Sequence, residues 1–280
     1  MTLILLALLK IAVSVLIFAI GLGATLADLT FLWRHPKLML RSFLAMYLLV
    51  PLAVLGLIYI LPVSAMTKAA LLVLAVSAGA PLLPRKLDIL NSSAYVFSLV
   101  VTSSFLAILL VPVAITILNR HFGTHQDISA ITVAWVLAKA FLLPLLAGML
   151  VRWLLPALSE RYSDKLMGAA GTLLAGAALV LLATHWKLFV VIHWQDVAVL
   201  VVAMLLAVGL GHMFGGPDPD NRTVLAIACA TRHIGVAVLV AGAFPNTNTL
   251  AVVLAYSLAS AFVSIPYLYL RGKRRSRQAA

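Results

Sequence analysis

Nine apolar stretches separated by short polar loops organise this chain, at about 3–26, 37–60, 67–90, 93–118, 129–152, 166–190, 196–214, 222–242 and 247–270. Each is long enough to cross a hydrocarbon core of roughly 30 Å as a helix. The pattern predicts an all-α, polytopic membrane protein with nine transmembrane helices and no soluble domain. Two stretches are interrupted. "SAGAPLLP" at 77–84 places Gly79, Ala80, Pro81 and Pro84 near mid-span, and "CATRHIG" at 229–235 places polar and charged residues inside an apolar run. Proline lacks an N–H and glycine relaxes the backbone, so the helix is expected to break at the first interruption. Backbone groups freed at membrane depth cannot face lipid, so a break there lines an enclosed or watery cavity. A simple proline kink is the competing reading of the first interruption. The matching position of the second favours a break.

Dividing the chain in the 119–128 loop, "NRHFGTHQDI", leaves four spans in 1–118 and five in 119–270. The penultimate span of each part, 67–90 or 222–242, is the interrupted one. This predicts an inverted repeat with one helix missing from the first part, an arrangement found in secondary transporters. Residues 271–280 read as a basic cytoplasmic tail.

The composition, 64% hydrophobic and 10% charged, lies far from that of soluble domains. The net charge of +12 follows topology. Arg34, Lys37, Arg41, Arg85, Lys86, Arg152, Arg161, Lys165 and Arg222 flank alternate loops, and "RGKRR" opens the tail at 271–275. The other loops hold only Lys68, Arg120 and Lys187. This asymmetry predicts a cytoplasmic C-terminus and an external N-terminus, and it accounts for the basic residues without a nucleic-acid partner. The first stretch reads as a retained span, because its apolar run is too long for a signal peptide and lacks a basic leader. One cysteine, Cys229, excludes an internal disulfide and a multi-thiolate metal site. HExxH, GxSxG and Walker patterns are missing from the sequence, so neither an enzyme nor an ATP-driven pump is expected.

Arg232 lies near the middle of its span, ten residues from Arg222 and ten from Gly242. A charge at bilayer centre costs about 2.5–3.5 kcal/mol even on a lenient scale, and snorkelling does not easily carry a guanidinium that far. All eight carboxylates fall at predicted span ends or in loops. An unpaired guanidinium suits an incoming carboxylate, sulfonate or phosphate; its competing role is to cap carbonyls freed at the break. His233 reads as a proton relay or substrate hydrogen-bonding group, or as a neutral core histidine. Thr231 is a candidate donor beside the break. With Gly79, Ala80 and Pro81 these residues form the candidate substrate site. Ser98 and Thr102, four apart, share a helical face that either helps to coordinate a cation or packs helices. "GHMFG" at 211–215 reads as a small-xxx-small packing pattern.

"GLGATLADLTFLWRHPKLML" at 21–40, "SAGAPLLP" at 77–84 and "ATRHIGVAVLVAG" at 230–242 together resemble the bile acid:sodium symporter superfamily over nearly the whole chain. The resemblance implies a panel domain and a core domain, with two broken helices crossing in the core at the substrate site. Nine spans suits members that lack the first of ten helices. It also implies sodium-coupled uptake of organic anions. Where members carry a Ser-Asn pair after the first break, this chain has Leu82 and Leu83; Ala228, Arg232 and His233 stand for a glutamate, a glutamine and an asparagine. Met46, five residues before Pro51, stands for a glutamine. Ser98 and Thr102 alone retain hydroxyls. Losing oxygen ligands and gaining a guanidinium disfavours a bound cation. The expectation is a carrier of a small organic anion with weakened sodium dependence, no other cofactor, the bilayer as its surroundings, and an open oligomeric state. A non-transporting sensor on the same fold and a metalloid efflux carrier are the alternatives.

Overall fold

The computed structural model describes residues 2–77, 93–122, 130–184, 193–232, 237 and 248–279. Among these every regular element is helical: α1 (Thr2–Gly23), α2 (Leu26–Leu29), α3 (Phe31–Arg34), α4 (Pro36–Phe43), a π-helical segment (Leu44–Leu49), α5 (Val50–Ile60), α6 (Ala65–Val76), α7 (Ser93–Phe122), α8 (Ala130–Leu154), α9 (Pro156–Thr184), α10 (Trp194–Phe214), α11 (Pro219–Ala230) and α12 (Asn248–Ala279). Four described spans, Pro36–Ile60, Ala94–Val113, Leu137–Leu154 and Trp194–Phe214, are long and apolar enough to cross a membrane. Lys10–Gly23 and Ala65–Ala75 are shorter apolar helices. The outward face of α8 exposes Trp135, Leu143, Leu146, Leu150 and Trp153, a mostly apolar strip, interrupted by Lys139, of the kind that lipid covers.

Several boundaries depart from the hydropathy pattern. The polar link after the first span is itself helical. Thr25 caps α2 and forms a capping box, with the Asp28 N–H donating to Thr25 Oγ1 at 3.1 Å and the Thr25 N–H to Asp28 Oδ2 at 2.9 Å; two orphan donors are satisfied reciprocally. Helix α9 starts ten residues before its apolar run, with Pro156 as its first residue, where a missing N–H costs nothing. Helix α12 continues to Ala279, so the basic segment 271–279 is a helical prolongation of the last span. The predicted break at 77–84 begins where α6 stops, at Val76, but Gly79, Ala80 and Pro81 lie outside the described residues. The 119–128 division lies largely outside them too.

Helix α1 packs on α8 and α9. Helix α10 packs on α11, α12 and the Pro36–Ile60 span, and α12 also packs on α6 and α11. Helix α7 touches α8 on one side and α2, α3, α6 and α11 on others. Small residues set the two tightest crossings. A Cβ at Gly148 would collide with the Phe18 carbonyl, and one at Gly21 with the Leu145 carbonyl, so α1 and α8 meet backbone to backbone. Gly211 likewise brings α10 onto the backbone of α11 at Leu225 and Ala226, which assigns "GHMFG" to packing. Close backbone approach supplies the dispersion contacts that hold helices together where lipid offers no hydrophobic driving force.

Cross-segment hydrogen bonds answer the helix ends. Arg152 Nη1 donates to the carbonyls of Leu22 at 2.8 Å and Gly23 at 3.0 Å, capping α1. Ser64, the N-cap of α6, donates from its N–H to Asp196 Oδ1 at 3.2 Å and from Oγ to Oδ2 at 3.0 Å. Asp196 is buried in the first turn of α10, a favourable place for a carboxylate. Gly148→Val is expected to lower the unfolding midpoint in detergent by an overpacking cost of about 1–3 kcal/mol. Gly56→Ala, which would meet nothing within 4 Å, should not; equal loss in both would refute the backbone crossing.

Candidate functional site

The site is built where α11 ends. Residues Thr223 to Ala230 of α11 are buried, so this helix is enclosed by protein along its apolar length. It stops at Ala230: the Thr231 N–H closes the last turn on the Ile227 carbonyl at 2.8 Å, and the Thr231 backbone then turns extended, at φ −89° and ψ 100°. The Tyr256 hydroxyl of α12 donates to the Ala230 carbonyl at 2.8 Å, satisfying one acceptor left by the helix end. Arg232 follows, 3% exposed. Its charge sits beyond the negative end of the α11 dipole, which carries about half an elementary charge.

Arg232 Nη1 donates to the Met46 carbonyl at 3.3 Å. The reason that carbonyl is available lies in the Pro36–Ile60 span. Pro51 has no N–H and its ring crowds the preceding turn. The helix accommodates it by widening into the π-helical segment Leu44–Leu49, in which the Val50 N–H reaches back to Ala45. Met46 would next bond residue 51, which is Pro51. Its carbonyl therefore lacks a donor within its own helix, and Arg232 supplies one from 186 residues away. Met46 and Arg232, singled out separately in the sequence as departures from a family pattern, are partners.

The second terminal nitrogen, Nη2, is buried and has no hydrogen-bond partner. The Tyr47 hydroxyl and the Cys229 thiol lie within electrostatic reach of the guanidinium, and the Tyr256 hydroxyl accepts a side-chain hydrogen bond from it. Tyr47 donates to the Ser103 carbonyl at 2.9 Å, fixing the π-helical segment to α7. Among the described residues no carboxylate pairs with Arg232. Lys37, Arg41, Asp220, Arg222 and Arg271 lie toward the far ends of the helices around it. Among the described residues the groups around Arg232 are tyrosine hydroxyls, a thiol and backbone carbonyls, and one guanidinium donor is left over.

The other predicted site residues divide. Thr231 is buried beside Arg232; His233 lies outside the described residues, as do Gly79, Ala80 and Pro81. Ser98 and Thr102 have separate situations. Ser98 Oγ donates to the Leu29 carbonyl at 2.8 Å and accepts the Leu32 N–H at 3.0 Å. It thus joins the last acceptor of α2 to an early donor of α3, the two groups that helix ends leave open. Thr102 Oγ1 is buried without a partner. Sequence reasoning missed Tyr47 and Tyr256; neither stands out in an aromatic-containing apolar run, and each is identified only by the backbone carbonyl it meets.

An all-helical chain with apolar membrane-length helices and a buried cation between them is an integral membrane protein. The sequence matches the model of the Sodium Bile acid symporter family over residues 10–194, and the chain belongs to that family, whose members are transporters and not enzymes. The matched region includes Met46, Tyr47 and Thr102 and ends before Arg232. No individual curated protein matches the chain.

Replacing Arg232 by Met in the natural background is expected to strand the Met46 carbonyl. In Pro51→Ala, where the helix regains an N–H, the same replacement should be less destabilising, by about 1–3 kcal/mol. A double-mutant cycle of unfolding free energies in detergent measures this difference; strict additivity would show that Pro51 and Arg232 are unconnected. Ser98→Ala should cost about 1–3 kcal/mol for each backbone group left unsatisfied. Thr102→Val, which removes a hydroxyl that is already unpartnered, should be near neutral in the same assay.

Proposed function

We propose that this protein is a secondary carrier of a small organic anion and that Arg232 binds the anion's acidic group. The observation that carries the reading is the buried, unpartnered Nη2 of Arg232, held in place by the Met46 carbonyl on its other nitrogen. A guanidinium already desolvated and oriented loses little further freedom on receiving a carboxylate or sulfonate. Thr231 stands beside it, and His233, Gly79, Ala80 and Pro81 complete the proposed substrate site from the two helix breaks.

On this reading nine helices form an inverted repeat of four and five spans, with the external N-terminus and cytoplasmic C-terminus that the basic loops require. The packing of α1 with α8 and α9, and of α10 with α11, α12 and the Pro36–Ile60 span, supports a panel and a core as its two bodies. The family name carries sodium, yet a sodium ion near Arg232 would meet a like charge in a medium of low dielectric constant. Thr102 is the hydroxyl left for any coupling cation, since Ser98 is engaged by backbone groups. Sodium dependence is accordingly weak.

Counterflow into proteoliposomes, tried with carboxylates and sulfonated steroids with and without sodium, tests the proposal. Arg232→Gln should lower apparent affinity for the transported anion about 10–150-fold, the loss of one charge-assisted hydrogen bond. Lys139→Gln on the exposed face of α8, where Lys139 lies over the Trp135 ring at 5.7 Å, should leave uptake unchanged. Binding without flux would instead make the protein a sensor. Equal loss in both variants would trace the effect to folding.

A further inference from the structure

We propose that the basic turn joining α10 to α11 binds the headgroup of an anionic phospholipid. The proposal is independent of the reading of Arg232, which follows the opposite end of α11. Helix α10 ends at Phe214 and α11 starts at Pro219. Between them Gly215 lies so close to the Arg222 backbone that a Cβ would collide with it. Gly216 takes φ +86°, a conformation that favours glycine. The turn folded in this way gathers guanidinium groups from three segments. Arg222 Nε of α11 donates to the Gly216 carbonyl at 2.6 Å. Arg41 Nη1 of α4 lies 3.6 Å from the point that a Gly216 Cβ would occupy. Arg271 of α12 donates from Nη2 to the Pro219 carbonyl at 2.8 Å and from Nε to Thr223 Oγ1 at 3.0 Å.

These bonds end on neutral oxygens, so they fix Arg222 and Arg271 in place without offsetting their charge. Lys37, one turn before Arg41, and Lys273, two residues beyond Arg271, are exposed and add to it. The turn also holds Asp218, which accepts the Asp220 N–H at 2.8 Å, and Asp220 itself. Five cations against two carboxylates leave the region positive. The Trp194–Phe214 span ends here and the Pro36–Ile60 span begins here, which puts the turn at headgroup depth. Leu40, Met213 and Leu270 are exposed within two residues of Arg41, Gly215 and Arg271, so acyl chains meet apolar surface beside the cations. A free phosphate would use none of that surface. The preference for basic residues on one side of a membrane accounts for the number of charges. It does not require three guanidinium groups around one turn, two of them held by neutral oxygens. Planar guanidinium groups recognise phosphate with paired donors, and basic pockets between membrane helices bind anionic headgroups.

The experiment titrates dioctanoyl-phosphatidylglycerol into the full chain in dodecyl maltoside and reads the thermal midpoint. The midpoint should rise along a saturable curve, whereas dioctanoyl-phosphatidylcholine and inorganic phosphate at equal concentration should leave it in place. Arg41→Gln changes an exposed side chain outside the bonds that fix the turn. It should raise the apparent dissociation constant about fivefold, the worth of one basic residue at a headgroup. Arg271→Gln should also lower the lipid-free midpoint, so its lipid increment is read against its own baseline and should shrink. Arg161→Gln combined with Lys165→Gln removes two cations of α9 that lie over the Tyr162 ring and should leave the increment unchanged. If that pair weakens the lipid as much as Arg41→Gln does, the attraction is diffuse and the site is overturned. A shift with inorganic phosphate or a single-stranded oligonucleotide that matches or exceeds the lipid's would assign the turn to a soluble anion and overturn the lipid. The absence of a saturable shift with phosphatidylglycerol would overturn the proposal outright.

Discussion

Inside a bilayer, a carbonyl or N–H that loses its helical partner finds no water to replace it. At the ends of this chain's helices, toward the membrane faces as well as within the membrane, side chains from other segments supply several of the missing partners. Helix α1 ends on carbonyls that Arg152 reaches from α8; the α2–α3 junction is closed by Ser98 from α7. The start of α6 is tied to Asp196 of α10, and the end of α11 is met by Tyr256 of α12. In each case a side chain from a distant segment stands where solvent would stand in a soluble protein. Helix interruptions are therefore also the points at which the segments are locked to one another.

Arg232 obeys the same constraint and exceeds it. One of its terminal nitrogens does what the other capping side chains do, since it meets the carbonyl that Pro51 strands. The other has no such duty. Capping the freed carbonyl occupies one nitrogen, which leaves the other for the anion proposed above. The structural bond holds the plane of the guanidinium, and a held plane presents its remaining donor in a defined direction. A lysine at the same place would offer a point charge on a mobile stem, without one arm fixed and one arm free.

Much of this arrangement was written locally in the sequence. Apolar runs announced the membrane-length helices Pro36–Ile60, Ala94–Val113, Leu137–Leu154 and Trp194–Phe214, because burial in lipid imposes a length and a composition that a sequence displays directly. The end of α11 was legible because a polar cluster in an apolar run has few acceptable placements. The capping box at Thr25 and Asp28 has a legible Thr-x-x-Asp spacing, but it falls between two apolar runs, where hydropathy registers only a polar link. The π-helical segment was not readable: Leu44–Leu49 is as apolar as its surroundings, and Pro51 is equally compatible with an ordinary kink. Ser98 and Thr102 illustrate the same limit. Their spacing places them on one face, but whether a hydroxyl meets a backbone group or nothing depends on α2 and α3, which the spacing does not describe.

The π-helical segment has a geometric effect beyond the carbonyl it frees. One extra residue in a turn rotates everything that follows by about 100° about the helix axis. The half before it, α4, packs beside α3, while the half after it, α5, turns to α6, and α10 runs alongside both. A single membrane span thereby changes neighbours partway through the bilayer, a change of direction that a soluble protein would make with a loop. The span acts as two short rods set at different rotational angles on one continuous axis, each cut to a different neighbour.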